Sequence, residues 1–450
     1  MKRFAAVLIG VSITGLAIPN INFNNSINNN NNNNNKNTKI SRMNQNQNQN
    51  QNVKKVLISG ASGFIGNALT KTLTEGNDNN SNTDTKYEIY KLVRKTPTSM
   101  YEIEWNPDKQ FIDKESLESL QPDVVIHLAG ENILGIWTEE KKRKILESRT
   151  KGTTTLCEAL SSISNPPKVF ISASGCTYYG SNVYDPVDEY SPKGSGFFSD
   201  VVEKWEQSCD PLRKHNQQIL NQNTNSTISS NGEVEVVAGG GVGGVGTQSV
   251  KPTRIVNLRI GLVMDKAGGL LGSMYYPFLF GLGGVIGSGK QYLPWISLRD
   301  AIGVIKFAIE NEQVQGPINV VSINPATNYE FTKTLGTVLN RPTIFWIPET
   351  PLRYLLGKDM SEETVLSSQR VLPRKLLDYG FRFQDTNLTA TLDRIVNDKK
   401  NFQFNFKYLN ASKYSEINYD YDYDNNCKMK LLCFIFIFFI FHIFIKNSKI

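Results

Sequence analysis

The sequence predicts an α/β fold built on a doubly wound parallel β-sheet, and three observations support this prediction. Short apolar segments alternate with segments of helical periodicity. The apolar segments lack the in-and-out alternation of a half-exposed strand, which is typical of parallel strands covered on both faces. A glycine-rich turn directly follows the first of them. Repeated strand–helix units of this kind form an open sheet with helices on both sides.

The individual elements follow from continuous apolar runs and from helical spacing. Val124–Leu128 is an apolar run of strand length, whereas Ala68, Leu69 and Leu73 recur at helical intervals. The predicted strands are 55–59, 87–93, 101–105, 124–128, 169–172 and 255–259, and the predicted helices are 67–75, 138–160 and 199–208.

The chain is predicted to consist of a globular body with low-complexity and apolar extensions. Residues 1–52 join an apolar leader to an Asn- and Gln-rich segment that cannot bury a core. Two polar segments, 76–86 and 214–251, are predicted insertions in the body. The predicted divisions are a nucleotide-binding Rossmann-type domain at 53–265, a substrate-side region at 266–342, a C-terminal helical domain at 343–396 and a tail at 397–450.

The two ends of the chain bear on localisation. Residues 431–445 are uncharged and strongly apolar, but a membrane-spanning helix needs about 20 residues. A membrane anchor and a non-native tail both remain open for this run. No acidic residue precedes Glu75, as in a mitochondrial presequence. We therefore expect a cytoplasmic or mitochondrial protein, with membrane association possible through the tail.

Composition excludes several classes of site. The histidines His127, His215 and His442 are far apart and no Cys-x-x-Cys pair occurs, so we expect no metal site. Five cysteines without framework spacing argue against a disulfide-stapled fold. The net charge is only +7, and the lysine and arginine residues are scattered, so we expect no nucleic-acid partner and a small-molecule ligand instead.

The glycine-rich turn predicts a dinucleotide-binding site. Gly60 permits the tight turn, Gly63 lets the backbone approach a pyrophosphate, and Gly66 allows close helix packing. The following helix directs its N-terminal N–H groups at the phosphates. The other residues predicted to contact the cofactor in this turn are Ser62, Phe64 and Ile65.

Further motifs resemble one known family. The Gly-x-x-Gly-x-x-Gly spacing with Phe64-Ile65 resembles the extended short-chain dehydrogenase/reductases. The other motifs are His127-Leu-Ala-Gly-Glu131-Asn132-Ile, Lys151-Gly-Thr, Ser172-Ala-Ser, Tyr178-Tyr179-Gly180, Trp205-Glu206, Arg259-Ile-Gly-Leu-Val and Leu366-Ser-Ser-Gln-Arg. Together they resemble the atypical NAD(P)-binding "epimerase family protein" group, over 53–395 apart from the insertions. The resemblance implies that the loop Leu128-Ala129-Gly130 contacts the cofactor.

The end of the second strand indicates which nicotinamide cofactor is used. In NAD-binding proteins an acidic residue at this point holds the ribose diol. Here Arg94 and Lys95 follow the strand, and cations suit the 2′-phosphate of NADP. We therefore expect NADPH to be preferred over NADH.

The resemblance also implies a catalytic Tyr-x-x-x-Lys pair, which this sequence lacks. If Glu206 is aligned with the family's helix, Phe198 and Val202 occupy the tyrosine and lysine positions. Ser174 matches the family's substrate-orienting hydroxyl, and Tyr178 or Tyr179 is then the candidate proton donor. The alternative is that both tyrosines only pack beside the nicotinamide.

On the substrate side, polar and aromatic residues near the strand ends are candidates for contact. Asp300 is expected to be the N-cap of a helix at 301–310, and 351–377 is expected to be helical. The candidate substrate residues are Glu131, Asn132, Arg259, Lys290 and Trp295. The sequence favours an NADP-dependent oxidoreductase or epimerase acting on a small carbonyl or sugar-nucleotide-like substrate. The alternative is an NADPH-binding sensor or scaffold with little or no catalysis.

Overall fold

The computed structural model describes residues 52–75, 85–133, 137–227 and 251–397. Eight of its strands form one sheet, and the other eight pair in twos. In chain order the strands are β1 (Asn52–Ser59), β2 (Thr85–Val93), β3 (Glu102–Asn106), β4 (Phe111–Ile112), β5 (Val124–His127), β6 (Val169–Gly175), β7 (Asn182–Val187), β8 (Arg254–Ile260), β9 (Leu262–Asp265), β10 (Gly284–Ile286), β11 (Tyr292–Leu293), β12 (Trp295–Ser297), β13 (Gly316–Val320), β14 (Ala326–Thr327), β15 (Phe345–Ile347) and β16 (Ser368–Val371).

Helices flank the sheet and continue into the C-terminal part of the chain. They are α1 (Phe64–Glu75), α2 (Lys114–Leu120), α3 (Glu139–Ser162), α4 (Phe197–Gln207), α5 (Asp210–Thr227), α6 (Gly269–Leu279), α7 (Leu298–Glu310), α8 (Asn328–Val338), α9 (Glu349–Leu356), α10 (Lys358–Met360), α11 (Arg374–Asp378) and α12 (Leu388–Asn397). Short 3₁₀ turns occupy Pro107–Lys109 and Cys176–Tyr179, and a π turn occupies Ser361–Val365.

The central sheet has eight strands in the order β13-β8-β6-β5-β1-β2-β3-β4. Every pairing is parallel except that of β3 with β4. The strand order reverses at β1, which pairs with β2 on one side and β5 on the other. This arrangement confirms the predicted doubly wound α/β fold.

Both faces of the sheet are buried, which explains why its strands lack alternating polarity. Along β1, Val56 and Ile58 contribute to one core cluster, together with residues of α1 and α7. Leu57 belongs to a second cluster with residues of α2 and α3. All three side chains have no exposed area. A polar residue at any of these positions would be buried against a helix.

The structure corrects the start of the second predicted insertion. Helix α5 continues to Thr227, so the segment from Lys214 to this residue is helical. Leu212 and Ile219, two turns apart, are both buried. The side chain of Asn216 exchanges two hydrogen bonds with the backbone of Thr253, at 2.7 and 2.9 Å, and joins the helix to the start of β8. The many Asn and Gln residues of this helix concealed its sparse apolar stripe.

The C-terminal segment is only partly helical, contrary to the expectation for 351–377. It contains the helices α9, α10 and α11 and the π turn, but also β16, which pairs in parallel with β7. The backbone N–H of Ser368 donates to the carbonyl of Ser181 at 2.7 Å. This four-residue strand exists because a distant strand pairs with it, and no local pattern predicts that.

The predicted leader and the apolar run at 431–445 lie outside the described residues. In the part of the chain that is described, no helix has both the length and the apolar character needed to cross a membrane. The described residues belong to one compact unit that includes the sheet and the C-terminal segment.

Candidate functional site

The glycine turn between β1 and α1 leaves no room for side chains. Gly60 has φ +70°, and a Cβ on it would lie 2.8 Å from the carbonyl carbon of Leu128. A Cβ on Gly66 would lie 2.2 Å from the carbonyl oxygen of Gly60, so α1 packs directly on the turn. The N–H of Gly63 closes the turn by donating to that same oxygen at 2.9 Å. Ser62 is exposed at the turn, and its neighbours Phe64 and Ile65 begin α1.

A buried serine joins this turn to the loop that follows β5. Ser59 Oγ accepts hydrogen bonds from the backbone N–H of Leu128 at 3.2 Å and of Ala129 at 3.4 Å. It also lies 2.6 Å from His127 Nδ1. Because the oxygen already accepts from the backbone, its own proton is directed to Nδ1. The loop Leu128-Ala129-Gly130 is therefore held beside the glycine turn, at the carboxyl edge of the sheet.

His127 is a core residue of this edge. Its side chain has no exposed area, and burial lowers its pKa to about 4. The imidazole ring lies edge-on to Trp105, with the ring centroids 5.7 Å apart. Nε2 has no hydrogen-bond partner among the described residues. The imidazole is therefore neutral at pH 7 and braces the end of β5.

Two cations lie where β2 ends. Ser59, the last residue of β1, is opposite Leu92, so Arg94 and Lys95 follow β2 at the same edge as the glycine turn. Both side chains are exposed. Arg94 makes no hydrogen bond or ion pair within the described ranges. Its guanidinium is therefore available for a ligand beside the turn.

At the end of β6, Ser174 joins a buried charged network. Ser174 Oγ donates to Glu206 Oε1 at 2.7 Å. Arg259 binds the same carboxylate through two bonds, Nε to Oε1 at 2.8 Å and Nη2 to Oε2 at 2.9 Å. The side chains of Arg259 and Glu206 are 4% and 13% exposed. Arg259, a candidate substrate residue, is thus already paired with a carboxylate.

Tyr179 belongs to the same network. Its hydroxyl accepts from Arg259 Nη1 at 3.0 Å and donates to Asn319 Oδ1 at 2.9 Å. Burial raises the pKa of Tyr179 above its ordinary value, and the neighbouring Arg259 only partly opposes this. With both hydrogen-bonding functions engaged, the Tyr179 hydroxyl joins the 3₁₀ turn after β6 to β8 and β13.

Tyr178 is placed differently from its neighbour. Its ring lies against the guanidinium of Arg259, with the ring centroid 3.5 Å from Cζ. The side chain is only half-buried. Among the described residues, its hydroxyl has no hydrogen-bond partner. Of the two candidate tyrosines, Tyr178 therefore has the unengaged hydroxyl.

Helix α4 presents apolar side chains where the resemblance implies a Tyr-x-x-x-Lys pair. Phe198 and Val202 are both buried. Phe198 packs edge-on against Trp137, with the ring centroids 4.7 Å apart. The carboxylate of Glu363 accepts from the backbone N–H groups of Phe197 and Phe198 at 2.8 and 2.7 Å. Sequence reasoning missed this cap, because the two segments are far apart in the chain.

The remaining candidate substrate residues do not converge on one surface. Glu131 pairs with Lys141 at 2.7 Å, and Asn132 beside it is half-buried. Lys290 is exposed. Trp295 is 1% exposed and lies in a core cluster, where its Nε1 donates to the carbonyl of Asn324 at 2.9 Å.

Asp300 is not the N-cap of α7. Ser297 caps the helix, accepting from the N–H of Asp300 at 3.1 Å. The Asp300 carboxylate instead accepts from the backbone N–H groups of Gln384 and Asp385, both at 2.9 Å. The predicted start of this helix was three residues late because Ser297 is an equally good cap.

Comparison with known proteins agrees with this geometry. Residues 56–196 match the NAD dependent epimerase/dehydratase family, and residues 347–395 match a domain of unknown function, DUF1731. "Epimerase family protein ML0860" of Mycobacterium leprae is 31% identical over 338 residues, which are 75% of this chain and 94% of that protein. The crystal structure of human epimerase family protein SDR39U1 with NADPH superposes with a TM-score of 0.60 at 30% identity, covering 76% of this chain and 99% of that one.

A mammalian relative extends the match over almost its whole length. "Epimerase family protein SDR39U1" of Bos taurus is 32% identical over 348 residues, which are 76% of this chain and 99% of the cattle protein. The motifs of the glycine turn and the β5 loop lie within 56–196, and those of the C-terminal segment lie within 347–395, the two stretches that match family models. The chain therefore belongs to the SDR39U1-type epimerase family of NAD(P)-dependent proteins, an atypical group of the short-chain dehydrogenase/reductases.

Proposed function

We propose that this protein is an NADP(H)-dependent oxidoreductase or epimerase acting on a small carbonyl or sugar-nucleotide-like substrate. The observation that carries the proposal is the position of Arg94, unpaired within the described residues, at the strand end beside the Gly60 turn. A guanidinium at this point suits the 2′-phosphate of NADPH. A relative of 30% identity was crystallised with NADPH, which supports the same choice of cofactor.

The residues of this chain suit a division of labour around the bound cofactor. The glycine turn holds the pyrophosphate at the N-terminus of α1. The nicotinamide, when bound, supplies or accepts the hydride. A carbonyl that receives a hydride also needs one proton, and the hydroxyl of Tyr178 is free to donate it, whereas that of Tyr179 is not. The Ser174 hydroxyl donates a hydrogen bond to Glu206, so it orients the substrate carbonyl only after that hydrogen bond is broken.

One observation favours a second candidate function, an NADPH-binding sensor or scaffold. Phe198 and Val202 leave the two positions of α4 where the resemblance implies a tyrosine and a lysine without a side chain that can exchange a proton. General acid–base catalysis typically contributes about 10²- to 10⁴-fold, so a protein without it would turn over slowly.

Stopped-flow oxidation of NADPH against a panel of ketones, aldehydes and nucleotide-sugars separates the two. If the enzyme proposal is correct, at least one substrate is reduced, and Tyr178→Phe slows the reaction about a hundredfold. Tyr179→Phe is the matched control and should act mainly on stability. NADPH binding without turnover of any substrate would favour the sensor. Turnover unaffected by both Tyr178→Phe and Ser174→Ala would place the active site elsewhere.

A further inference from the structure

Strand β15 presents an open edge with exposed apolar side chains. Ile344, directly before the strand, is 80% exposed, and Phe345 and Trp346 within it are 49% and 64% exposed. Among the described strands, β15 pairs only with β10. Edge strands of soluble proteins usually carry charges or are covered, because an open apolar edge pairs with another chain. The segment from Pro342 to Pro348 contains no charged residue, so it lacks that protection.

The backbone of this edge is free to form hydrogen bonds. The carbonyl of Ile347 accepts from the N–H of Gly287 at 2.9 Å, so the backbone groups of Ile347 are directed to the β10 side. Successive residues of a strand direct their N–H and C=O groups to opposite edges. Those of Trp346, and of Ile344 two residues earlier, are therefore directed to the open edge. No described residue donates to them or accepts from them there.

The segment from Arg341 to Glu349 is self-complementary when two copies run antiparallel. Its central residue is Phe345, and pairing about this residue sets Ile344 of one copy opposite Trp346 of the other. Both of these residues direct their backbone groups to the open edge, which is the arrangement of a hydrogen-bonded antiparallel pair. Phe345 then meets its own counterpart across a two-fold axis, as in an isologous interface.

The ends of the segment fit the same alignment. Arg341 is exposed, and in the paired arrangement it lies beside Glu349 of the second copy, so opposite charges meet twice. Within its own chain, Glu349 uses one carboxylate oxygen to bind Arg353, at 3.0 Å. Pro342 and Pro348 are also opposed, and since proline has no backbone N–H, the hydrogen-bonded pairing ends there. The prolines therefore limit the contact to a short strand pair.

We propose that this protein forms a homodimer in which the β15 strands of two copies pair antiparallel about Phe345. The partner of the open edge is thus a second copy of this chain, and the two small sheets become one sheet of four strands. The far edge of β10 is already closed. There the N–H and C=O of Ile286 are bonded to the side chains of Asn328 and Gln291, at 2.9 and 3.0 Å. Assembly through these strands therefore stops at two copies.

The proposed interface adjoins the candidate site. Ile286 of β10 and Ile347 of β15 pack against the apolar cluster that contains Trp137 and Phe198. Phe198 lies on α4, where the resemblance implies the catalytic tyrosine. Pairing of β15 with a second copy therefore fixes two strands on which one wall of the candidate site rests.

Sedimentation velocity of the full chain tests the interface by exchanging its charges. Wild type is expected to show a monomer–dimer equilibrium. Arg341→Glu sets glutamate against glutamate, and Glu349→Arg sets arginine against arginine, so each change should weaken dimerisation about tenfold or more. An equal mixture of the two variants should recover the dimer, because every charged contact of the mixed dimer again joins opposite charges.

Ile344→Lys tests the apolar part of the same interface. The side chain is so exposed that the monomer should keep its stability, whereas the lysine would face Trp346 of the second copy and weaken the dimer. Met100→Lys is the matched control, because Met100 is 81% exposed but lies between β2 and β3. Arg374→Glu, in an exposed pair with Asp378 on α11, is the control for the charge changes. Neither control should alter dimerisation, and circular dichroism checks the fold of every variant.

Three results would overturn the inference. A wild type that stays monomeric would show that the edge is open, or is covered by another segment of the chain or by a different protein. A dimer that persists in Ile344→Lys and in both charge variants would assign the interface to another surface. Folded charge variants whose mixture remains monomeric would show that Arg341 and Glu349 do not meet, which excludes the antiparallel alignment about Phe345.

Discussion

Replacing Glu206 with glutamine tests the energetics of the network at the end of β6. The change keeps the shape of the side chain but removes its charge, leaving the buried Arg259 without a counter-ion. Glu206 now accepts three hydrogen bonds, two from Arg259 and one from Ser174. Breaking a buried ion pair by removing one partner typically costs about 3–5 kcal/mol. Because Glu206 is 13% exposed and glutamine keeps one acceptor oxygen, we expect the lower value, about 3 kcal/mol.

Urea unfolding followed by tryptophan fluorescence measures this loss as a lower free energy of unfolding. Asp378→Asn is the control, because it removes an i,i+4 pair with Arg374 in which the side chains are 45% and 62% exposed. That change should cost no more than about 0.5 kcal/mol. The double variant Glu206→Met with Arg259→Met should be less destabilised than Glu206→Gln, since no charge is left buried. A fall of less than about 1 kcal/mol in the free energy of unfolding for Glu206→Gln would refute the reasoning that this ion pair is desolvated.

Three further predictions follow from single side chains. Arg94→Ala should weaken NADPH binding about ten- to a hundredfold and leave NADH binding unchanged in fluorescence titrations. Lys86→Ala, at the opposite end of β2, should affect the binding of neither cofactor. An equal loss for both cofactors in Arg94→Ala would contradict the 2′-phosphate contact. Tyr179→Phe should lower the free energy of unfolding, measured in urea, by about 1–3 kcal/mol, because Asn319 and Arg259 lose a buried partner. Tyr178→Phe should leave the free energy of unfolding unchanged. A larger loss for Tyr178→Phe than for Tyr179→Phe would show that the roles of the two tyrosines are exchanged. The folded state holds His127 neutral down to its pKa of about 4, whereas in the unfolded chain this residue binds a proton below about pH 6.5. The free energy of unfolding should therefore fall by about 3 kcal/mol as the pH drops from 6.5 to 4. In His127→Gln this part of the pH profile should flatten, and an unchanged slope would exclude His127 as its source.

Local sequence was sufficient for six of the eight strands of the central sheet and for the glycine turn, whereas β4 and β13 were not predicted. Strands that are buried on both faces are recognised in the sequence as continuous apolar runs, as at Val124–His127. The turn from Gly60 to Gly66 is contiguous, and Gly60 and Gly66 are required by close contacts within the turn or with the neighbouring loop. Chemistry of this kind is encoded within a few residues, and the sequence alone predicts it.

Local sequence failed where the decisive partner is distant in the chain. Helix α5 was not predicted beyond its first residues because its stabilising contacts are made with a distant part of the chain, as between Asn216 and Thr253. The strand β16 exists only through its pairing with β7. In both cases tertiary contacts outweigh a weak local preference.

The candidate site divides in the same way. The sequence by itself determined that a dinucleotide turn, two cations after β2 and a pair of adjacent tyrosines are present. Only the tertiary structure decided that Tyr179 is fixed between Arg259 and Asn319 while the hydroxyl of Tyr178 is left open. Adjacent residues of identical chemistry cannot be told apart by pattern, because the difference lies in which side chains the fold brings to each hydroxyl.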